Sequence, residues 1–72
     1  MIIEIRCVKN ADGTYNAASF ENGRSIVGKD YGVDRGNCDD IRALWNKLQS
    51  TYSDNSIKVK GECIECFEES EI

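Results

Sequence analysis

The Asn22-Gly23 dipeptide is the feature that most restricts how this chain can fold. It lies inside the stretch "TYNAASFENGRSIVG", between two segments rich in strand-forming residues. Asn and Gly both tolerate the positive φ angles that the two-residue turn of a β-hairpin requires. The sequence therefore predicts an antiparallel hairpin, with the second strand of the chain before this turn and a short third strand around residues 25–27.

The N-terminal stretch "IIEIRCV" predicts the first strand of the same sheet. Ile3, Ile5 and Cys7 alternate with residues that would face the other side, which is the period of a half-buried strand. Asp12-Gly13 follows and has the composition of a turn. The first three strands are therefore expected to form an antiparallel meander.

Apolar residues then recur at helical spacing. They occupy positions i, i+3, i+4, i+7 and i+11 and comprise Ile41, Leu44, Trp45, Leu48 and Tyr52. Asn37 is placed to cap this helix by accepting a hydrogen bond from the backbone N–H of Asp40. A helix over residues 38–52 is expected to cover one face of the sheet, and "IKVKGECIECF" predicts a last strand after it.

These elements predict the fold class α+β. The expected fold is a small antiparallel sheet of three to four strands, in the order β-β-β-α-β, with one amphipathic helix packed on one face. Residues 1–72 are interpreted as a single domain with an acidic C-terminal end, because so short a chain holds only one core. The segment 29–37 has two glycines and no periodicity, and is predicted to be a loop.

The four cysteines allow several interpretations. Cys63 and Cys66 form a C-x-x-C pair inside the expected last strand, where residues three apart point to opposite faces. Core packing of Cys7 and one of this pair is the favoured interpretation; a metal site and a regulated disulfide stay open. Cys38 either packs on the helical stripe or is a reactive thiol at the helix N-terminus.

The N-terminal residues also bear on the expected location. Glu4 and Arg6 interrupt the first apolar run, so the chain lacks the unbroken apolar region of a secretory signal. No stretch approaches the roughly 20 apolar residues of a membrane span, and no membrane partner is predicted. A cytoplasmic location with reduced thiols is therefore expected.

Catalytic chemistry is not expected. The chain contains no His, and no nucleophile with a neighbouring base, paired carboxylate or phosphate-binding glycine loop can be assembled from it. The sequence therefore predicts a protein that is not an enzyme and that has no cofactor, and it assigns no residues as metal ligands.

Charge suggests the kind of partner. Residues 61–72 contain five glutamates and no Lys or Arg, which argues against direct nucleic-acid binding and favours a basic protein surface. The candidate binding residues are three in the predicted loop and four in the acidic end: Tyr31, Asp34, Arg35, Glu65, Glu68, Glu69 and Glu71. The loop residues are chosen because an exposed Tyr beside Arg has the composition of a binding hot spot.

The stretches "GTYNAASFENGRSIVGKDYG" and "DDIRALWNKLQ" carry a resemblance to a known group. Together they resemble the hairpin-then-helix layout of small phage-encoded anti-CRISPR proteins that act on type I surveillance complexes. The shared elements are a Gly-x-Tyr strand entry, a Gly-containing hairpin turn and a helix with a central aromatic, within residues 13–49. The resemblance implies a stoichiometric inhibitor, encoded by a phage or mobile element, that binds a Cas subunit or another nucleic-acid-binding protein in the host cytoplasm. It assigns no binding residues.

Two alternative classes stay open. One is a small structural module stabilised by zinc or by its thiols. The other is a nucleic-acid-binding domain with the layout of a double-stranded-RNA-binding domain, although the chain lacks the first helix and the basic loop of that class. Metal analysis and a salt titration on duplex RNA distinguish these classes from a protein-binding inhibitor.

Overall fold

A computed structural model describes residues 2–52 and 56–67. Its strands are β1 (Ile3–Lys9), β2 (Tyr15–Glu21), β3 (Arg24–Ser25), β4 (Gly32–Gly36) and β5 (Ile57–Gly61), and its helix is α1 (Cys38–Thr51). Short 3-10 helices at Lys29–Tyr31 and Glu62–Cys66 precede β4 and follow β5. The predicted α+β class, with strands, one helix and a final strand, is confirmed. Within the described residues, no helix is both long and apolar enough to cross a membrane.

The hairpin predicted from Asn22-Gly23 is confirmed. β1 and β2 pair antiparallel along their full length, and the turn after β2 has φ angles of 52° at Asn22 and 84° at Gly23. β3 pairs back on β2 with Arg24 opposite Glu21. It starts one residue earlier than expected and is only two residues long.

The last strand makes the sheet mixed rather than wholly antiparallel. β5 runs parallel to β1, with Ile57 opposite Ile3 and Gly61 opposite Cys7. Parallel neighbours need a crossover connection, and α1 lies between β4 and β5 in the chain. The strand order is β3-β2-β1-β5, and β4 pairs with β2 outside this path.

The core lies between one face of the sheet and α1. Its largest aliphatic side chains are all at most 4% exposed: Ile3, Ile5, Ile41, Leu44 and Leu48. Asn37 caps α1 as predicted, since its side chain accepts from the Asp40 N–H while the Asp40 carboxylate accepts from the Asn37 N–H. Trp45 and Tyr52, from the same stripe, are half-buried at its margin.

The prediction of a loop over residues 29–37 is wrong, because this segment contains β4. β4 pairs antiparallel with β2, placing Val33 opposite Ala17 and Gly36 opposite Tyr15, with an irregularity in register between them. Val33 packs against the core. The composition of this segment does not favour a strand and shows no alternation. It is extended because it pairs with β2 in the folded protein.

The expected last strand is also too long. β5 ends at Gly61, and residues 62–66 form a 3-10 turn that we call the C-terminal turn. Residues three apart eclipse one another in a 3-10 helix, so Cys63 and Cys66 both point inward and are buried. The prediction that they point to opposite faces is therefore wrong.

Both buried cysteines of the C-terminal turn form disulfides. Cys63 bonds to Cys7 on β1, and Cys66 bonds to Cys38 at the start of α1, with Cα separations of 5.9 and 5.3 Å. The expectation of reduced thiols is wrong in this structure, which contains no free cysteine. The two disulfides attach the C-terminal turn to the sheet and to the helix.

Candidate functional site

A groove lies between β4 and one side of α1. It has a volume of about 410 Å³ and is lined by charged residues of both signs: Asp30, Asp34, Arg35, Asp40 and Lys47. The glycines at both ends of β4 also line it. We call this feature the β4–α1 groove, and it contains two of the residues selected from the sequence.

Asn16 on β2 holds the backbone of the groove's outer wall. Its side-chain oxygen accepts a hydrogen bond from the Arg35 N–H at 3.3 Å, and its amide group donates to the Asp34 carboxylate at 3.1 Å. Asn10 donates to the same Asn16 oxygen at 2.6 Å and so helps to orient it. The segment that carries Asp34 and Arg35 is therefore attached to the hairpin through side chains as well as through strand pairing.

Arg35 has an uncommon backbone conformation. Its φ angle is 59°, in the left-handed region that few residues other than glycine, asparagine or aspartate adopt. Its side chain is exposed. Such conformations persist only where the surroundings stabilise them, and they concentrate at functional sites.

Tyr31 lies beside the groove rather than fully in solvent. Its ring is half-buried against the core, and the Lys47 ammonium lies 5.7 Å from the ring centroid. Lys47 also lies 3.7 Å from the Asp30 carboxylate. The Ser19 hydroxyl donates to the Tyr31 carbonyl at 2.8 Å, which holds this segment on β2. Tyr31 is therefore adjacent to the groove residue Lys47 and presents only part of its ring.

Three charged groove residues were not selected from the sequence. Asp40 and Lys47 lie seven positions apart, on the side of α1 that also carries Ala43 and Leu44 of the groove lining. Helical spacing alone identifies them as neighbours. Asp30 gives no such signal, because its place in the groove depends on how the 3-10 turn before β4 folds back toward α1.

Glu65, the first of the predicted acidic residues, is engaged elsewhere. Its carboxylate accepts a hydrogen bond from the Tyr15 hydroxyl and lies 3.2 Å from the Lys9 ammonium. The neighbouring Glu62 accepts from the Lys9 backbone N–H at 2.8 Å. The structure therefore joins the C-terminal turn to the β1–β2 hairpin and does not bring Glu65 into the β4–α1 groove. Glu68, Glu69 and Glu71 lie outside the described residues.

The Glu65 contacts make an acid-sensitive link. The Tyr15 hydroxyl, and then the Lys9 ammonium, lower the pKa of the Glu65 carboxyl below its ordinary value of 4.5. A lowered pKa in the folded state adds stability above the ordinary pKa, and this stability is lost as pH falls through the folded-state value. The stabilising effect of Glu65 is therefore present at neutral pH and disappears in acid.

Glu65→Gln is expected to lower the melting temperature at neutral pH and to have a progressively smaller effect below pH 4.5. Thermal unfolding followed by circular dichroism between neutral pH and acid measures this difference. Tyr15→Phe keeps the ring and removes the main cause of the lowered pKa, so it should move the acid-induced loss of stability to higher pH. Parallel curves for wild type and Glu65→Gln over the whole range would contradict the link.

The groove offers ion pairs and hydrogen bonds rather than reactive groups. All four cysteines are in disulfides, so no thiolate is present to act as a nucleophile. Within residues 2–52 and 56–67, no three His, Cys, Asp or Glu side chains are arranged to hold a metal ion. The function has to be inferred from this geometry, since no protein-family model, curated protein or solved structure matches the chain.

Proposed function

We propose that this protein is a non-catalytic binding domain that recognises another protein through the β4–α1 groove. The observation that carries the proposal is the presentation of Arg35, whose exposed side chain sits on a left-handed backbone held by Asn16. A backbone fixed in this way loses little conformational freedom when the residue meets a partner, and preorganisation of this kind favours binding. The adjacent Asp34 and Lys47 supply charges of both signs for partner contacts.

The charge of the groove favours a basic partner surface. Three aspartates face two cations among its lining residues. Apart from the groove, residues 61–72 contain five glutamates and no Lys or Arg. Complementary charge speeds association and makes it dependent on salt. We therefore propose a protein partner that presents Lys and Arg, such as a surface that otherwise holds nucleic acid, and no direct binding of nucleic acid by this chain.

A narrower proposal identifies the partner as a subunit of a CRISPR-type nucleoprotein complex. It rests on the hairpin-then-helix resemblance, together with the expected basic partner. In this proposal a phage or mobile element encodes the protein, which inhibits the complex by occupying a Cas surface. This identification stays a prediction until a partner is captured.

The two disulfides favour a second candidate, a disulfide-stabilised structural module. Disulfides persist mainly in oxidising compartments, whereas cytoplasmic proteins of most organisms keep their thiols reduced. This argues against the cytoplasmic location expected from the N-terminal sequence, which stays a prediction. Thiol alkylation and mass spectrometry of protein taken directly from its native source distinguish the two candidate functions. Cysteines modified by the reagent were free thiols and support the cytoplasmic inhibitor, whereas unmodified, disulfide-bonded cysteines support the structural module.

Combined Asp34→Asn and Arg35→Gly changes are expected to weaken partner binding at least about tenfold. Asn keeps an acceptor for Asn16, and Gly adopts a φ of 59° without strain, so the melting temperature should change little. The measurement is capture from a bacterial lysate on immobilised protein, followed by titration of the captured partner. Arg24→Gln, which removes an exposed cation outside the groove, is the matched control.

The control and the groove variant should behave differently. Full binding by Arg24→Gln together with weak binding by the groove variant supports the proposal. Equal affinity of wild type and groove variant for the same captured partner would show that Asp34 and Arg35 do not contribute to partner binding.

A further inference from the structure

β5 forms one edge of the sheet. Among the described residues it pairs with β1 alone and is the last strand in the order β3-β2-β1-β5. An edge strand presents backbone N–H and C=O groups that can pair with an added chain. This edge is a different surface from the β4–α1 groove, since no β5 residue lines that groove.

The side chains of β5 define what an added strand must carry. Lys58 and Lys60 are exposed and alternate with Ile57 and Val59, which are half-buried and pack against the core. A neighbouring strand also alternates between the two faces of the sheet. An added strand that fits β5 therefore has acidic residues on the lysine face and apolar residues on the other face, where they extend the contact with Ile57 and Val59.

The face that carries the lysines has an excess of positive charge near this edge. Register places Glu4 beside Lys58 and Arg6 beside Lys60. Glu4 is only 7% exposed, and its carboxylate lies 3.0 Å from the Lys60 ammonium and 2.9 Å from the Arg6 guanidinium. Among the described residues one carboxylate thus faces three cations, and this local charge favours an acidic partner strand.

The same charges argue against a second copy as the occupant. Antiparallel pairing of β5 with another β5 would bring the lysines of both chains together on one face, and like charges on adjacent strands are destabilising. Edge lysines protect sheets from pairing with strands like themselves. A strand with carboxylates on that face removes the repulsion and replaces it with attraction.

We propose that the β5 edge binds an extended segment of a partner protein in which acidic residues alternate with apolar ones, added to the sheet as a further strand. Backbone hydrogen bonds to β5 would supply affinity, and the alternation of Lys58 and Lys60 with Ile57 and Val59 would supply specificity. The proposal is independent of the function proposed for the β4–α1 groove.

A short capped peptide of alternating glutamate and valine is the probe. Its addition to isotope-labelled wild-type protein is expected to shift the backbone amide resonances of residues 57–61 and to slow their hydrogen exchange. The matched peptide of alternating lysine and valine should leave these signals unchanged. Equal effects of both peptides, or shifts confined to other parts of the sheet, would overturn the proposal.

Lys58→Glu tests the charge requirement, because Lys58 makes no ion pair among the described residues, whereas Lys60 is paired with Glu4. This change is expected to weaken the glutamate peptide at least about tenfold and to permit binding of the lysine peptide. The combined Asp34→Asn and Arg35→Gly variant should bind the glutamate peptide as wild type does, which separates this site from the groove. Unchanged binding of the glutamate peptide by Lys58→Glu would overturn the proposal. Displacement of the peptide from wild-type protein by oligothymidylate would also overturn it, because the cationic face would then be a site for nucleic acid.

Discussion

Replacement of Cys7 and Cys63 by alanine is expected to lower the free energy of unfolding by about 4 kcal/mol. The two residues are 56 positions apart, so their disulfide closes most of the chain into one loop and restricts the unfolded state strongly. A domain of this length has a total stability of roughly 4 to 11 kcal/mol. This loss would leave a residual stability of roughly 0 to 7 kcal/mol, so the variant is expected to unfold at a lower urea concentration than wild type.

The second disulfide provides the matched comparison. Cys38 and Cys66 are only 28 positions apart, so their joint replacement by alanine should destabilise the protein somewhat less. Urea unfolding at neutral pH, with and without a reductant, measures both effects. Reductant should lower the wild-type midpoint below that of either double variant. A wild-type midpoint that reductant leaves unchanged would contradict a stabilising role for both disulfides.

The dependence on disulfides follows from the size of the core. Below about 70 to 80 residues, a hydrophobic core rarely supplies more than a few kcal/mol, and small domains use cross-links to supplement it. Here the aliphatic core lies between β1 and α1, and each disulfide joins the C-terminal turn to one of these two elements. The C-terminal turn is therefore bonded covalently to both the sheet and the helix, and it holds these two elements together.

Local signals in the sequence were sufficient for part of this fold. The Asn22-Gly23 turn, the Asn37 cap and the stripe that includes Ile41 and Leu48 each depend on residues close together in the chain. Their backbone geometry is dictated by positive φ, a side-chain hydrogen bond and a helical period, respectively. The hairpin and α1 were predicted correctly for this reason.

Contacts between distant residues determine the rest. β4 is extended because it pairs with β2, although Gly32 and Gly36 at its ends are poor strand formers. Four cysteines allow three pairings, and the actual one depends on which Cα atoms the fold brings together. The parallel course of β5 likewise depends on the path of α1 across the sheet, which no local pattern specifies.

The candidate site shows the same division. Asp34 and Arg35 were selected as presented side chains in an irregular segment, and both line the β4–α1 groove. The groove itself was not predictable, because its inner wall is a side of α1 and its outer wall is held by Asn16 from β2. Assembly of three elements separated along the chain creates the site.

Gly61→Ala is expected to be among the most destabilising single changes in the chain. Gly61 has φ and ψ angles of 108° and −170°, a conformation that is essentially restricted to glycine and costs other residues roughly 1 to 3 kcal/mol. A Cβ at this position would also overlap the backbone carbonyl of Cys7, approaching its carbon to 3.0 Å. Both atoms belong to paired strands, so neither can move without breaking the β1–β5 register.

Gly13→Ala separates these two effects. Gly13 also has a positive φ, 92°, but a Cβ there would have no neighbour within 4 Å, so this change causes backbone strain alone. We expect both variants to have lower urea midpoints than wild type and Gly61→Ala to be destabilised by roughly 1 to 3 kcal/mol more, since overlap with packed backbone adds to the strain. Formation of the Cys7–Cys63 disulfide should fall in parallel, because displacement of β5 moves Cys63 away from β1. Equal urea midpoints for the two alanine variants would contradict this prediction. They would mean that the close approach of Gly61 to the Cys7 backbone is not required where the chain leaves β5 and enters the C-terminal turn.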